Sequence, residues 1–273
     1  MVESLSQLRE RCQKPRYKEV GNWMVRHILR DAALPLTWLL LHTSLTANQV
    51  TLIALLTGLG GLVCLAFPGT GMFLAGVLLL QFWYYLDHVD GQIARYRGTA
   101  SLSGRYFDYL MHHLVHGLIL FALGCFLFFQ TGQFIFVLWG FAGTLGTLFF
   151  NLSHDIQHKT FFEQIMRSGG VQVRPEFADE KPKAASKSAA GLLKKIFQGM
   201  HKAHEMHVWM NGMTAAALLQ IFLRGKPVDF RICFFVFYGL AAPALAIVKN
   251  IFLIRFRKVD AEFDKYFDVS SRG

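Results

Sequence analysis

Long apolar runs separated by short polar breaks dominate the chain. They cover residues 48–67, 71–86, 106–129, 134–152, 208–223 and 232–254. Most approach or exceed the ~20 residues that cross a hydrocarbon core as a helix. Inside lipid each backbone N–H and C=O must find its partner within the protein, so such runs predict helices. The first ends at Pro68-Gly69, and the second continues as a polar helix through Arg97. The fifth is short and interrupted by Asn211 and Gly212, and the sixth carries Gly239 and Pro243 as kink points. The expected fold is therefore all-α: a polytopic membrane protein with six transmembrane helices.

A further apolar stretch, residues 32–45, is 14 residues long and contains Pro35. It is too short to span comfortably. With Trp23, Arg26, Arg30 and Trp38 close by, it reads as an amphipathic helix lying at the interface. The expected organisation is an interfacial N-terminal region over 1–47, a six-helix transmembrane domain over 48–256 and a tail over 257–273. The long connection at 153–207 interrupts the second of these. Within it, 176–191 has the composition of a flexible loop and 192–207 that of a basic amphipathic helix. His201, His204 and His207 have a spacing that suits a metal on a helix, but an interfacial polar face accounts for them more simply. No internal repeat is evident.

Composition agrees with this pattern. Hydrophobic residues make up 53% of the chain and charged residues 17%, against about 25% charged in a soluble domain. The net charge of +10 would suit nucleic acid, yet basic residues between spans more often report orientation. With six spans, 24 of the 28 Lys and Arg fall on the side of the two termini and the connections at 95–105 and 153–207. That side is normally cytoplasmic. A seventh span would separate the basic N-terminus from the basic loops. The N-terminal residues are polar and lack the apolar core of a signal peptide. Of the four cysteines, Cys64, Cys125 and Cys233 sit inside apolar runs and none has metal-ligand spacing, so all read as small apolar fillers.

The polar residues that remain near the spans are concentrated. Asp87, Asp90, Gly91 and Ala94 fall at i, i+3, i+4 and i+7, one face of a helix. Gly104, Asp108, His112 and His116 recur every four residues on the next helix. The turn at 96–103 is short, so the two helices are expected to be antiparallel neighbours whose acids converge at one membrane boundary. Ionisable groups in such a place are costly and mark function. Carboxylates suit a hard cation, and small residues admit a bulky ligand against the backbone. A divalent-metal site and a transport site both remain open on this pattern; helix capping explains one acid but not three.

The order Asp87-x2-Asp90-Gly91-x2-Ala94-Arg95-x8-Gly104-x3-Asp108-x3-His112 resembles the signature of the CDP-alcohol phosphotransferase family. Seven of the eight fixed positions match, and the eight-residue gap is kept. The segment Thr46-Ala47-Asn48-Gln49-Val50-Thr51 is similar to the family's Thr-Pro-Asn-Gln-Val-Thr, with Ala47 in place of proline. The eighth position departs: the family has a fourth aspartate, taken as general base, where this chain has His112 followed by His113.

The resemblance implies a membrane enzyme in which an acceptor hydroxyl displaces CMP from a CDP-alcohol, with phospholipid synthesis as the usual setting. It implies divalent cations, Mg2+ or Mn2+ and two ions, on Asp87, Asp90 and Asp108, with His112 as a further ligand, a base or both. Asn48, Gly91, Ala94, Arg95, Gly104 and Arg105 are then the expected substrate-binding residues. Arg97 and Arg105 would serve an anionic acceptor or simply mark the positive side. His116 is expected one turn deeper, as a packing or supporting residue, and His88 on another face. The implied partners are a CDP-alcohol donor, an alcohol or lipid acceptor, membrane lipids and a second copy of the chain, with no nucleic acid. The small-residue pairs Gly58/Gly61 and Gly140/Gly143 would permit close helix packing. The competing possibility is a catalytically altered nucleotide- or ion-binding membrane protein or transporter.

Overall fold

The computed structural model describes residues 4–13, 18–19, 22–168, 172–173, 199, 202–223 and 228–268. The stretch 176–191 and most of the helix expected over 192–207 lie outside them. The described residues are almost entirely helical: α1 (Leu5–Cys12), α2 (Arg30–Leu41), α3 (Ala47–Ala66), α4 (Thr70–Tyr96), α5 (Leu102–Thr131), α6 (Ile135–Arg167), α7 (Met206–Phe222), α8 (Phe230–Arg255) and α9 (Lys258–Tyr266). A π-helical turn, Val25–Leu29, leads into α2, and β1 (Gln172–Val173) pairs antiparallel with β2 (Phe267–Asp268).

Five helices, α3, α4, α5, α6 and α8, are long and apolar enough to cross a membrane. The protein has a polytopic membrane fold. The fifth expected span corresponds to α7, which is 17 residues long. At ~1.5 Å per residue it reaches about 26 Å, the lower end of a spanning length. It packs against α4 and α8 within the bundle. The fourth expected span does not stop near 152, because α6 runs on as a polar helix to Arg167.

Helix starts follow their local chemistry. Thr46 caps α3: its side chain accepts from Gln49 N–H, and Gln49 Oε1 accepts from Thr46 N–H at 2.8 Å. Ala47 is therefore the first helical residue, a position where proline is tolerated because the missing N–H has no helical partner. The Ala-for-Pro departure thus leaves this helix start intact. Ser101 Oγ accepts from Gly104 N–H at 3.0 Å and opens α5, after a turn in which Gly98 takes φ +64°.

The expectation that α4 and α5 pack as direct neighbours needs correction. Extensive packing joins α3 to α4 and α3 to α5, so α3 lies along both. Glycine makes this possible. A Cβ at Gly58 would come within 2.9 Å of Val115 and 3.1 Å of Trp83, and one at Gly61 within 3.0 Å of the Gly76 carbonyl. At the other pair, a Cβ at Gly140 would meet the Leu120 carbonyl and one at Gly143 the Leu120 side chain. Both small-residue pairs are consumed in packing within one chain.

The N-terminal segment clamps the polar end of α4. Thr37 Oγ1 donates to Gln92 Oε1 at 2.6 Å, and Gln92 Nε2 donates to the Arg30 carbonyl at 2.8 Å. Ala33, Leu34, Thr37 and Leu41 are buried, while Trp23, Ile28, Trp38 and Leu39 are exposed. This is the two-faced character expected of an interfacial helix.

Candidate functional site

With α3 holding them apart, α4 and α5 meet through polar side chains near their linked ends. His112 Nε2 lies 2.9 Å from Asp87 Oδ1 and 3.3 Å from Asp108 Oδ1. One donor atom from each of Asp87, Asp108 and His112 falls within 4.8 Å of the others. The i,i+4 spacing puts Asp108 and His112 on one face of α5, and Asp87 faces them from α4. His112 Nδ1 is buried without a hydrogen bond, and the ring packs against Trp83 at 5.4 Å between centroids.

Asp90 is not part of that trio. It is buried, 7% exposed, and its Oδ2 accepts a 2.6 Å hydrogen bond from Thr51 Oγ1 of α3. One turn along α4 has moved it round the corner from Asp87, into a separate cavity of about 230 Å3. Every residue expected to bind substrate lines this cavity: Asn48, Gly91, Ala94, Arg95, Gly104 and Arg105. Asp108 lines it too, and so reaches both the cavity and the trio.

The small residues here have tight surroundings. A Cβ at Gly104 would stand 3.2 Å from Asn48 Oδ1 and from Ser101 Oγ. The Arg95 guanidinium lies over Gly91, and its Nε donates to the Cys12 carbonyl at the end of α1. Arg97 is used structurally. It donates to the Thr43 carbonyl at 2.8 Å and the Leu45 carbonyl at 2.5 Å, tying down the α2–α3 connection. Of the two arginines considered for an anionic acceptor, only the exposed Arg105 faces the cavity.

On the other side of the trio is a larger cavity of about 480 Å3. Asp87 and five histidines line it: His88, His112, His113, His116 and His204. His88 does not point away from the site, as its position in sequence implied. Its Nδ1 donates to the Tyr84 carbonyl at 2.9 Å, which turns the ring toward the cavity. His204 is no interfacial polar residue either: it is 1% exposed and packs against Phe150, Trp209 and His116. His201 lies outside the described residues, and His207 sits 3.3 Å from Glu205.

His116 is buried as expected, but it also faces this cavity, with Asn151 Nδ2 at 3.4 Å from its Nδ1. His113 pairs with Asp155 Oδ2 of α6 at 2.9 Å. Thr51 and Asn22 received no role from sequence, whereas Asn151, with His154, Asp155 and His158, reads there as a polar helix end that could line the acceptor side. For Thr51 the signal was present in its position one turn after Asn48. For Asn22, distant segments meet only in the fold.

The donor set fits a divalent cation. Carboxylate oxygens suit Mg2+ and Mn2+, and the imidazole adds a nitrogen donor that Mn2+ or Zn2+ accepts readily. The approach of two acids to one histidine at the edge of two cavities is a built arrangement rather than scattered surface charge.

Among curated proteins no sequence matches the chain. The model of the CDP-alcohol phosphatidyltransferase family matches residues 44–169. That stretch begins just before the Thr46 cap, ends just past α6, and contains the whole trio and the whole smaller cavity. Over that stretch, which is less than half of its length, the chain is similar to the CDP-alcohol phosphatidyltransferase family.

Proposed function

We propose that the protein transfers a phospho-alcohol or phosphatidyl group from a CDP-alcohol to an acceptor hydroxyl, releasing CMP, in phospholipid synthesis. The observation that supports this best is the convergence of Asp87, Asp108 and His112 between two cavities. The family match supports the coarser statement, a membrane transferase of phosphate-containing groups. A transporter would be expected to place its ionisable groups near the midplane on broken helices. Here they gather at one end of α4 and α5.

In this proposal the smaller cavity receives the cytidine and diphosphate. Gly91, Ala94 and Gly104 allow backbone approach, Asn48 and Arg105 offer hydrogen bonds, and Arg95 contributes a planar cationic surface. Asp87 and Asp108 would hold divalent cation, Asp90 would hold cation on the side of the smaller cavity that Asp108 also lines, and His112 is kept for the proton. Bound there, the cation neutralises diphosphate charge and polarises the phosphoryl group.

The acceptor oxygen attacks the phosphorus that bears the donor alcohol. A P–O bond to the acceptor forms, the P–O bond to CMP breaks, and the acceptor proton passes to His112. The imidazole is set between Asp87 and Asp108, which fix the ring and oppose the positive charge it gains. The cost of burying that charge is thereby reduced.

The bias of basic residues supports a cytoplasmic side for the trio, both termini and the 153–207 connection. A homodimer would pair through a surface other than the Gly58/Gly61 and Gly140/Gly143 pairs, which are occupied within the chain.

The test is CMP release by purified full-length protein given CDP-alcohols and acceptors, with Mg2+ or Mn2+ and with chelator. Release that needs cation and is lost in Asp108→Asn supports the proposal. Undiminished release in Asp87→Asn and Asp108→Asn would refute it. Full activity in His112→Ala, with loss in His113→Ala, would move the proton to the His113–Asp155 pair.

A further inference from the structure

The larger cavity differs from the smaller in the charges it presents. Arg95 and Arg105 line the smaller one. Among the described residues, neither Lys nor Arg lines the larger one, which instead carries Asp87 and Glu205. Lys249, on neighbouring α8, is engaged elsewhere: its Nζ donates to the Phe150 carbonyl at 2.8 Å and lies over the Phe150 ring at 4.2 Å.

The remaining polar groups are hydrogen-bonding ones. His116 faces Asn151, His204 and the Trp209 ring, and its Nε2 is buried without a hydrogen bond. A buried polar atom with no partner is costly, and a ligand group that supplies the partner removes that cost. Val25, Phe150 and Met206 give the same cavity apolar walls.

A phosphorylated acceptor brings about two negative charges. Recognising them calls for fixed cations, most often arginine in paired geometry. With Asp87 given to the cation, the lining keeps Glu205 and, among its described residues, no Lys or Arg to pair with such a ligand. An uncharged hydroxyl needs only what is present: donor–acceptor groups at one end and apolar walls beside them. At about 480 Å3 the cavity holds a headgroup but not two acyl chains, so a lipid's tails would remain outside it.

We infer that this cavity receives the acceptor as an uncharged alcohol, with His116 and Asn151 as specificity-determining residues that hydrogen-bond its polar end. This inference rests on the proposed transferase activity. Asn22, Val25, His204, Glu205 and Met206 all line the cavity and lie outside the stretch matched to the family. The selectivity is therefore attributed in part to segments outside that stretch.

The experiment uses the full chain in lipid nanodiscs with a lipid CDP-alcohol and, separately, a small CDP-alcohol. Each is offered diacylglycerol, glycerol, inositol, glycerol phosphate and inositol phosphate, and CMP and product mass are read. With whichever donor turns over, an uncharged acceptor is expected to exceed the phosphorylated ones at least tenfold in kcat/KM. Asn151→Arg, which introduces a cation at the partly exposed edge, should narrow that ratio about tenfold. His116→Gln should raise acceptor KM while leaving donor KM unchanged.

Preference for a phosphorylated acceptor would overturn the inference while leaving the transferase intact. So would an unchanged acceptor ratio in Asn151→Arg together with unchanged acceptor KM in His116→Gln. Absence of CMP release with every pair would overturn the transferase proposal and this inference together.

Discussion

The two cavities beside the Asp87–Asp108–His112 trio are built in different ways. Among the described residues, the smaller is lined by residues between Ala47 and Tyr109, from α3, α4, α5 and the turn between the last two. The larger draws on the N-terminal segment, α4, α5, α6 and the approach to α7, from Asn22 to Met206. The first lies wholly within the family-matched stretch, and the second leaves it at both ends. The difference suggests a division of labour: the shared chemistry sits on a local helix hairpin wedged by α3, while selectivity is assembled from distant parts of the chain.

The largest effect should come from the trio, because it serves both cavities. Asp108→Asn is expected to lower CMP release about a thousandfold with every acceptor, several kcal/mol of transition-state stabilisation. Chelation of divalent cation should do the same, reversibly, in the wild-type protein. A loss confined to one class of acceptor would break the symmetry between the cavities.

His112→Ala is expected next, at roughly a hundred- to ten-thousandfold, the usual span for removing a general base. His112→Asp should recover part of the rate, since it restores the residue that the family carries at this position. Failure of His112→Asp to exceed His112→Ala would indicate that the imidazole is needed for its nitrogen rather than as a base.

A smaller effect should separate the two cavities. Gly104→Val puts a branched side chain against Asn48 and Ser101, where a Cβ alone already stands at 3.2 Å. Donor KM should rise about tenfold, equivalent to ~1.4 kcal/mol, with acceptor KM little changed. Equal rises in both would show that the two ligands are not separated as the cavities imply. The smallest effect is expected for Thr51→Val, which removes the 2.6 Å hydrogen bond to buried Asp90. Thermal unfolding should report a loss of about 1 kcal/mol, accompanied by weaker donor binding. Unchanged donor KM would remove Asp90 from the donor side.

Much of the trio and of the smaller cavity was legible from spacing. Asp87, Asp90, Gly91 and Ala94 on one helix, and Gly104, Asp108 and His112 on another, declare their faces through the 3.6-residue period. Even so, the period placed Asp87 and Asp90 together, whereas the fold separates them. Thr51 on α3 holds Asp90 toward one cavity while Asp87 turns to the other. The histidines were harder. His88 was expected on a different face, and His204 was taken for a surface residue. Both assignments depended on where α4, α6 and α7 sit relative to one another, which no local pattern encodes.

Sequence alone determined the helical, membrane-spanning character of the chain. Lipid forces long apolar runs to satisfy their backbones internally, and carboxylates at helical spacing cannot avoid sharing a face. Only the tertiary structure decided that α3 nests along α4 and α5 through Gly58 and Gly61, and that His112 sits between two aspartates. It alone assembled a histidine-lined cavity without lysine or arginine among its described residues. These features come from close packing between segments far apart in the chain. Their energies depend on distances that composition and periodicity do not contain.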